Sequence, residues 1–140
     1  MRAMQGDTLK AWRKSERTRL VSARVAVDAA TIRAWREAMD ATLVARFLDR
    51  IGHGVLALCW PIRNEYDARH VARTFRDRGA LTAMPVVVAP RTPLVFREWH
   101  PGTPMAKGAM DIPYPADTRE VTPDAVLLPM NGWDAGGYRL

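Results

Sequence analysis

Between residues 32 and 47 the apolar side chains Ile32, Trp35, Met39, Leu43 and Phe47 recur at spacings of three and four. That period is helical, and Asp28 ahead of it has the side chain of an N-cap, so a helix with this stripe turned inward is predicted after residue 28. Upstream, Asp7 and Thr8 precede Leu9, Trp12, Leu20, Val21 and Val25, which predicts a first helix over about residues 8–26. Its apolar stripe is thin and its basic face wide, with Trp12 as the candidate core anchor. Gly52 and Gly54 then break the pattern, and the run Val55 to Trp60 is short, almost wholly apolar and followed by Pro61, as a buried strand is. Asp67 is placed to cap a third helix with Val71 and Phe75 on one face and Gly79 as its terminator.

A second strand is predicted at Leu81 to Val88, and a third where Leu94, Phe96 and Glu98 alternate with Val95, Arg97 and Trp99. The turn between Val88 and Leu94 is short enough for a hairpin, so part of the sheet is antiparallel. Residues 100–118, rich in proline and glycine, read as a surface connection, and Ala125 to Leu128 as a last short strand. Helices alternating with strands predict a layered α/β fold over residues 1–140, one domain with a mixed sheet.

The length of 140 residues and 48% hydrophobic content support one core of ordinary size. The charge is uneven: residues 1–50 hold eleven lysines and arginines against six acids, the remainder ten against nine. Such a field attracts phosphates and other polyanions without choosing among them. A nucleic-acid module ranks last, because no aromatic platform accompanies the charge. The single cysteine, Cys59, excludes an internal disulfide framework, the start Met-Arg-Ala-Met-Gln-Gly lacks an apolar leader core, and the longest apolar run is strand-sized. A cytoplasmic protein that does not enter membranes is the expectation.

Three segments carry candidate chemistry. Trp60-Pro61-Ile62-Arg63-Asn64-Glu65-Tyr66-Asp67 lies where a strand hands over to a helix, the edge at which open α/β sheets place ligands. Glu65 there suits a ring bearing N–H donors, with Arg63 as the neighbouring cation; a solvated loop in which Asp67 only caps the helix is the alternative. Arg13 and Arg17 share a helical face beside Lys14 and suit a phosphate chain, or else form a solvated basic face. The C-terminal run from Met130 to Leu140 carries three glycines but no following helix, so it suits a turn better than a phosphate cradle. His53, His70 and His100 lack metal-site spacing, and no Walker, G-x-G-x-x-G or G-x-S-x-G motif is present.

Taken in order, the basic stretch Arg13 to Arg17, the W-P-I-R-N-E-Y-D run, Met84-Pro85-Val86-Val87-Val88, Pro93 to Trp99, Asp111-Ile112-Pro113, Thr122-Pro123-Asp124 and Gly136-Tyr138-Arg139-Leu140 resemble 5-formyltetrahydrofolate cyclo-ligase, also called 5,10-methenyltetrahydrofolate synthetase. The resemblance spans residues 10–140 and lies in many short motifs at the right distances. It implies a three-layer α/β/α sandwich with a mixed, mostly parallel sheet, Rossmann-like and similar to the CoA transferases. It implies ATP- and Mg2+-dependent closure of 5-formyltetrahydrofolate to 5,10-methenyltetrahydrofolate with release of ADP and phosphate. Arg13, Lys14, Arg17, Arg139 and Leu140 match positions that hold ATP, and Trp60 and Glu65 match positions that hold the folate. Met110 departs from the family's glycine or aromatic residue. In the family, Arg139-Leu140 leads into a G-x-G-x-G-Y-Y-D loop with a magnesium-binding aspartate, then a last strand and helix, none of which this sequence contains. The resemblance therefore implies no metal ligand within this chain, lost turnover, and a sheet edge free to pair in a dimer if the chain is not a monomer. The alternative function is a non-catalytic folate- or nucleotide-binding remnant.

Overall fold

The computed structural model describes residues 6–140; residues 1–5, on which the expected lack of a leader partly rests, lie outside them. Helix α1 spans Gly6–Val25 and α2 spans Ala29–Ile51. Between them Asp28 caps α2 with both carboxylate oxygens, accepting from Thr31 N at 2.9 Å and from Thr31 Oγ1 at 2.7 Å. Strand β1 (Val55–Leu58) follows, then α3 (Arg69–Asp77), β2 (Leu81–Val86), β3 (Val95–Glu98), β4 (Met105–Lys107), a single 3-10 turn, β5 (Pro113–Pro115) and β6 (Ala125–Leu127).

The main sheet has the order β3-β2-β1-β6. β1 is parallel to both β2 and β6, and β3 returns antiparallel on β2, so the sheet is mixed and mostly parallel, as expected. Pro85 sits inside β2, a central strand, yet parallel pairing with β1 stops at Ala83, so its missing N–H costs no ladder bond on that side. Leu56, Leu58, Met84, Val71 and Phe75 are buried side by side between the sheet and the helices α2 and α3, with Leu48 and Trp99 closing the cluster. Each fully buried leucine contributes about 1.5–3 kcal/mol.

Several expectations change. Trp12 is half-exposed, and α1 buries none of its described residues, so it anchors no core. The stripe on α2 divides: Leu48 and its neighbours Leu43, Val44 and Ile51 meet the core, while Trp35 and Met39 stay exposed. β1 ends at Leu58 and β2 at Val86, each two residues before the apolar run does. Residues 100–118 are more than a connection, because β4 and β5 pair there as a small antiparallel sheet. Asp67 is not the N-cap of α3; Ala68 holds that position, and the Asp67 carboxylate is taken by the Arg69 guanidinium at 2.8 and 2.7 Å while also accepting from Arg69 N. No helix among the described residues is long and apolar enough to cross a membrane.

Candidate functional site

From β1 the chain goes to β2 on one side and later returns as β6 on the other. Where connections leave a strand pair in opposite directions, their loops part and a crevice opens beyond the carboxyl ends. A cavity of about 710 Å³ lies there, walled by Cys59 after β1, by Leu128 and Met130 after β6, and by Trp35, Met39 and Leu43 of α2. The half of the α2 stripe that misses the core therefore forms an apolar wall of this cavity. Its polar side chains are Arg24, Arg36, Thr42, Asn64, Glu65, Tyr66 and Asp67.

Glu65 is set by the turn that carries it. Glu65 N donates to Ile62 O at 3.0 Å, and the central residues Arg63 and Asn64 both have left-handed backbones, φ +49° and +58°. The Glu65 carboxylate folds back onto Ile62 N at 3.1 Å. The cation beside it is Arg24 of α1, with Nη2 at 3.7 Å from Oε1; Arg63, its expected partner, is exposed. Elsewhere on the lining the Tyr66 hydroxyl donates to Asp40 at 2.6 Å, and Arg36 holds the second Asp40 oxygen at 2.7 Å. Burial first, and the Asp40 carboxylate second, push the Tyr66 phenol well above its ordinary value, so it stays protonated. Burial and the charge of Glu65 likewise push the Cys59 thiol up, which leaves it a poor nucleophile.

Trp60 faces elsewhere. It lines a second cavity of about 420 Å³ with Arg69, His70, Trp99 and Thr103, and Asp67 borders both cavities. The Arg69 guanidinium stacks on the Trp60 ring at 4.4 Å while it grips Asp67. Burial works against ionisation of Asp67, but Arg69 overcomes it and holds the carboxyl below its ordinary range.

Arg13, Lys14 and Arg17 are exposed and line neither cavity. Arg13 and Arg17 do share a helical face with Leu20 and Arg24, at spacings of four, three and four. Leu20 stands over Gly132, 3.1 Å from where a Cβ there would be, and Leu140 stands 3.9 Å from the same point. The basic face of α1 thus runs toward the C-terminal segment. That segment is a tight hairpin in which Trp133 bridges exposed Arg139. The amides of Asp134, Gly137, Tyr138 and Leu140 all donate within it, so it is a turn and not an open phosphate cradle. Among the described residues no three His, Cys, Asp or Glu side chains converge as a metal site does.

Arg24, Arg36, Tyr66 and the Trp35–Met39 wall escape a reading of the sequence. Only the wall leaves a signal there, a stripe wider than the core needs. No family model matches the chain, and no match is found among curated proteins. Solved structures do match. The 5,10-methenyltetrahydrofolate synthetase of Aquifex aeolicus superposes with a TM-score of 0.74 at 19% identity, over 90% of this chain and 64% of that one. That of Mycoplasma pneumoniae gives 0.70 at 18% identity, over 91% of this chain and 69% of that one. The chain spans about two-thirds of the length of these enzymes, and over that span it has their fold.

Proposed function

We propose that this chain binds 5-formyltetrahydrofolate in the cavity between the ends of β1 and β6, and that it belongs to an ATP- and Mg2+-dependent closure of that folate to the 5,10-methenyl form. The observation that carries the proposal is the Glu65 carboxylate, oriented by Ile62 N and set beside Arg24, at the wall of a largely apolar cavity of about 710 Å³. That volume falls within the range of small-molecule sites. A flat heterocycle with adjacent N–H donors fits such a wall: Trp35, Met39 and Leu128 cover its faces, and Glu65 accepts from its edge. The fold shared with the two synthetases supports the same ligand.

Arg13, Lys14 and Arg17 would hold the triphosphate, with Arg139 and Leu140 at the hairpin that α1 approaches. Magnesium would arrive on the phosphates, as that ion commonly does, and would neutralise charge there. The chain's own contribution is positioning, which can supply about 7–11 kcal/mol in well-oriented reactions. The folate N10 must meet the activated formyl carbon, and the apolar wall keeps water from reaching it first. Trp60 serves from behind, by stacking on Arg69 and so fixing Asp67 at the cavity's border.

A binding role without turnover is the second reading, and the hairpin favours it, since four of its amides, those of Asp134, Gly137, Tyr138 and Leu140, already donate within it. One experiment tests both. The chain, 5-formyltetrahydrofolate, ATP and magnesium are mixed and the near-ultraviolet absorbance of the methenyl product is followed, while calorimetry measures folate binding to the parent and to Glu65→Gln. Product formation supports the enzyme, and binding without product supports the second reading. Glu65→Gln should weaken folate binding at least tenfold, as loss of a charge-assisted pair does. Equal affinity of parent and variant, or no folate binding by the parent, refutes the proposal.

A further inference from the structure

We infer that Arg24 is a positioning residue for Glu65, and that through it the C-terminal end of α1 sets the geometry of the folate-binding turn. This rests on the functional reading above. Arg24 makes three contacts across the fold: Nε donates to Arg63 O at 2.9 Å, Nη1 donates to Asn131 Oδ1 at 3.1 Å, and Nη2 lies 3.7 Å from Glu65 Oε1. It joins three segments, the end of α1, the turn after β1 and the segment after β6. Its side chain is only 20% exposed and that of Glu65 15%, so their attraction is less screened than a surface pair's.

The turn needs such a hold. Arg63 and Asn64 are consecutive non-glycine residues with left-handed backbones, each a conformation costing about 1–3 kcal/mol unless its surroundings impose it. The surroundings do so from α1 on both sides. Arg24 binds the carbonyl of Arg63, and Asn64 Nδ2 reaches back to the carbonyls of Arg24 and Val25 at 3.4 and 3.3 Å, among the last of the helix. The next residue in the turn is Glu65. A change at the Arg24 side chain therefore frees the carbonyl of Arg63 and removes the cation beside Glu65, while the bonds from Asn64 to the helix and from Ile62 N to Glu65 remain.

α1 has little else to hold it, since none of its described residues is buried. Arg24 is then a mechanical link: the helix presents Arg13 and Arg17 to solvent toward one end and grips the Glu65 turn at the other.

The test is a double-mutant cycle on 5-formyltetrahydrofolate binding by calorimetry, using the full chain as parent, Arg24→Met, Glu65→Gln and the double variant. Arg24→Lys serves as a second substitution that keeps the charge, and thermal melting of each variant checks the fold. Arg24→Met should weaken binding about tenfold when Glu65 is present but less than about twofold in the Glu65→Gln background, because its effect passes through the carboxylate. Arg24→Lys should recover little, since a point charge cannot reproduce a guanidinium's two directed hydrogen bonds together with its ion pair to Glu65. Equal losses in both backgrounds would show that Arg24 acts independently of Glu65, by anchoring the helix or by touching the ligand itself, and would overturn the inference with the functional reading intact. Full recovery by Arg24→Lys would also overturn it. Unchanged binding by Glu65→Gln alone would refute the functional reading, and this inference with it.

Discussion

Gly54→Ala tests how β1 and β6 are joined beneath the cavity. A Cβ on Gly54 would stand 2.6 Å from Asp124 Oδ2 and 2.9 Å from Ile51 O, both closer than carbon and oxygen tolerate. The same Asp124 oxygen accepts from Val55 N at 2.7 Å, while Asp124 N donates to Val55 O at 2.9 Å. These bonds start the β1–β6 register. To make room, Asp124 must turn away and give up a charge-assisted bond, about 1.5–3 kcal/mol, and the Ile51 carbonyl must shift, about 1–3 kcal/mol. Together the cost is about 3–5 kcal/mol, a large part of the stability of an ordinary domain. For a chain of this size it corresponds to a melting temperature lower by about 10–20 °C. Urea unfolding with an unchanged slope would separate lost stability from an altered unfolded state. Asp124→Ala removes one of the two obstructions, so Gly54→Ala should cost about 2 kcal/mol less in that background. A Gly54→Ala chain that melts within about 3 °C of the parent would refute the close approach.

Three further outcomes follow from other parts of the fold. Tyr66 holds its proton more tightly in the folded chain than in the unfolded one, where the phenol titrates at about 10. Its contribution is therefore complete below that pH and is lost as pH rises above it, so Tyr66→Phe should flatten the fall in melting temperature above about pH 10, and an unchanged slope would refute the assignment. Thr82 is buried, donates to the Trp99 carbonyl and accepts from Arg76 Nη1 at 3.0 Å, so Thr82→Val should cost about 1–3 kcal/mol in urea titration by leaving both partners unpaired. Replacing exposed Arg13 and Arg17 together by Gln should weaken ATP binding about tenfold by calorimetry and shift the melting temperature by less than about 2 °C; unchanged ATP affinity removes them from the nucleotide site.

The elements legible in the sequence are those fixed by local chemistry. Asp28 caps α2 because its carboxylate reaches Thr31 within one turn, and Val55 to Leu58 is a strand because an apolar run bounded by glycine and proline has little else to be. β4 and β5 leave no such trace, because strands of three residues, one of them flanked by prolines, carry no period. Trp35 and Met39 read as core because a helical stripe does not reveal whether it meets another element or a cavity. Glu65 is legible from its place after β1. Its cation is not: Arg63 is two residues away in the chain, yet Arg24, 41 residues away, is the one whose side chain arrives. Such a pairing is decided by tertiary packing, which a residue pattern does not encode. Likewise Trp60 and Glu65, five residues apart, open onto two different cavities that share Asp67 as a border.

Fold likeness and side-chain chemistry answer different questions here. Topology places the cavity: with the order β3-β2-β1-β6, the chain leaves β1 toward β2 and returns on its far side, and the crevice opens between β1 and β6 whatever residues line it. At 19% identity, the superposition on the Aquifex aeolicus synthetase speaks to that topology alone, and many chemistries share such folds. The chemistry of the cavity is set by an apolar wall from α2, by the Glu65 carboxylate beside Arg24, and by a turn that α1 holds in place. The left-handed backbone of Arg63 costs about 1–3 kcal/mol, more than that of Asn64, whose side chain suits the conformation. The strain is intelligible if the orientation of Glu65 is what the turn is for. That is a property of these residues, independent of the superposition, and it points to the same end of the same strand.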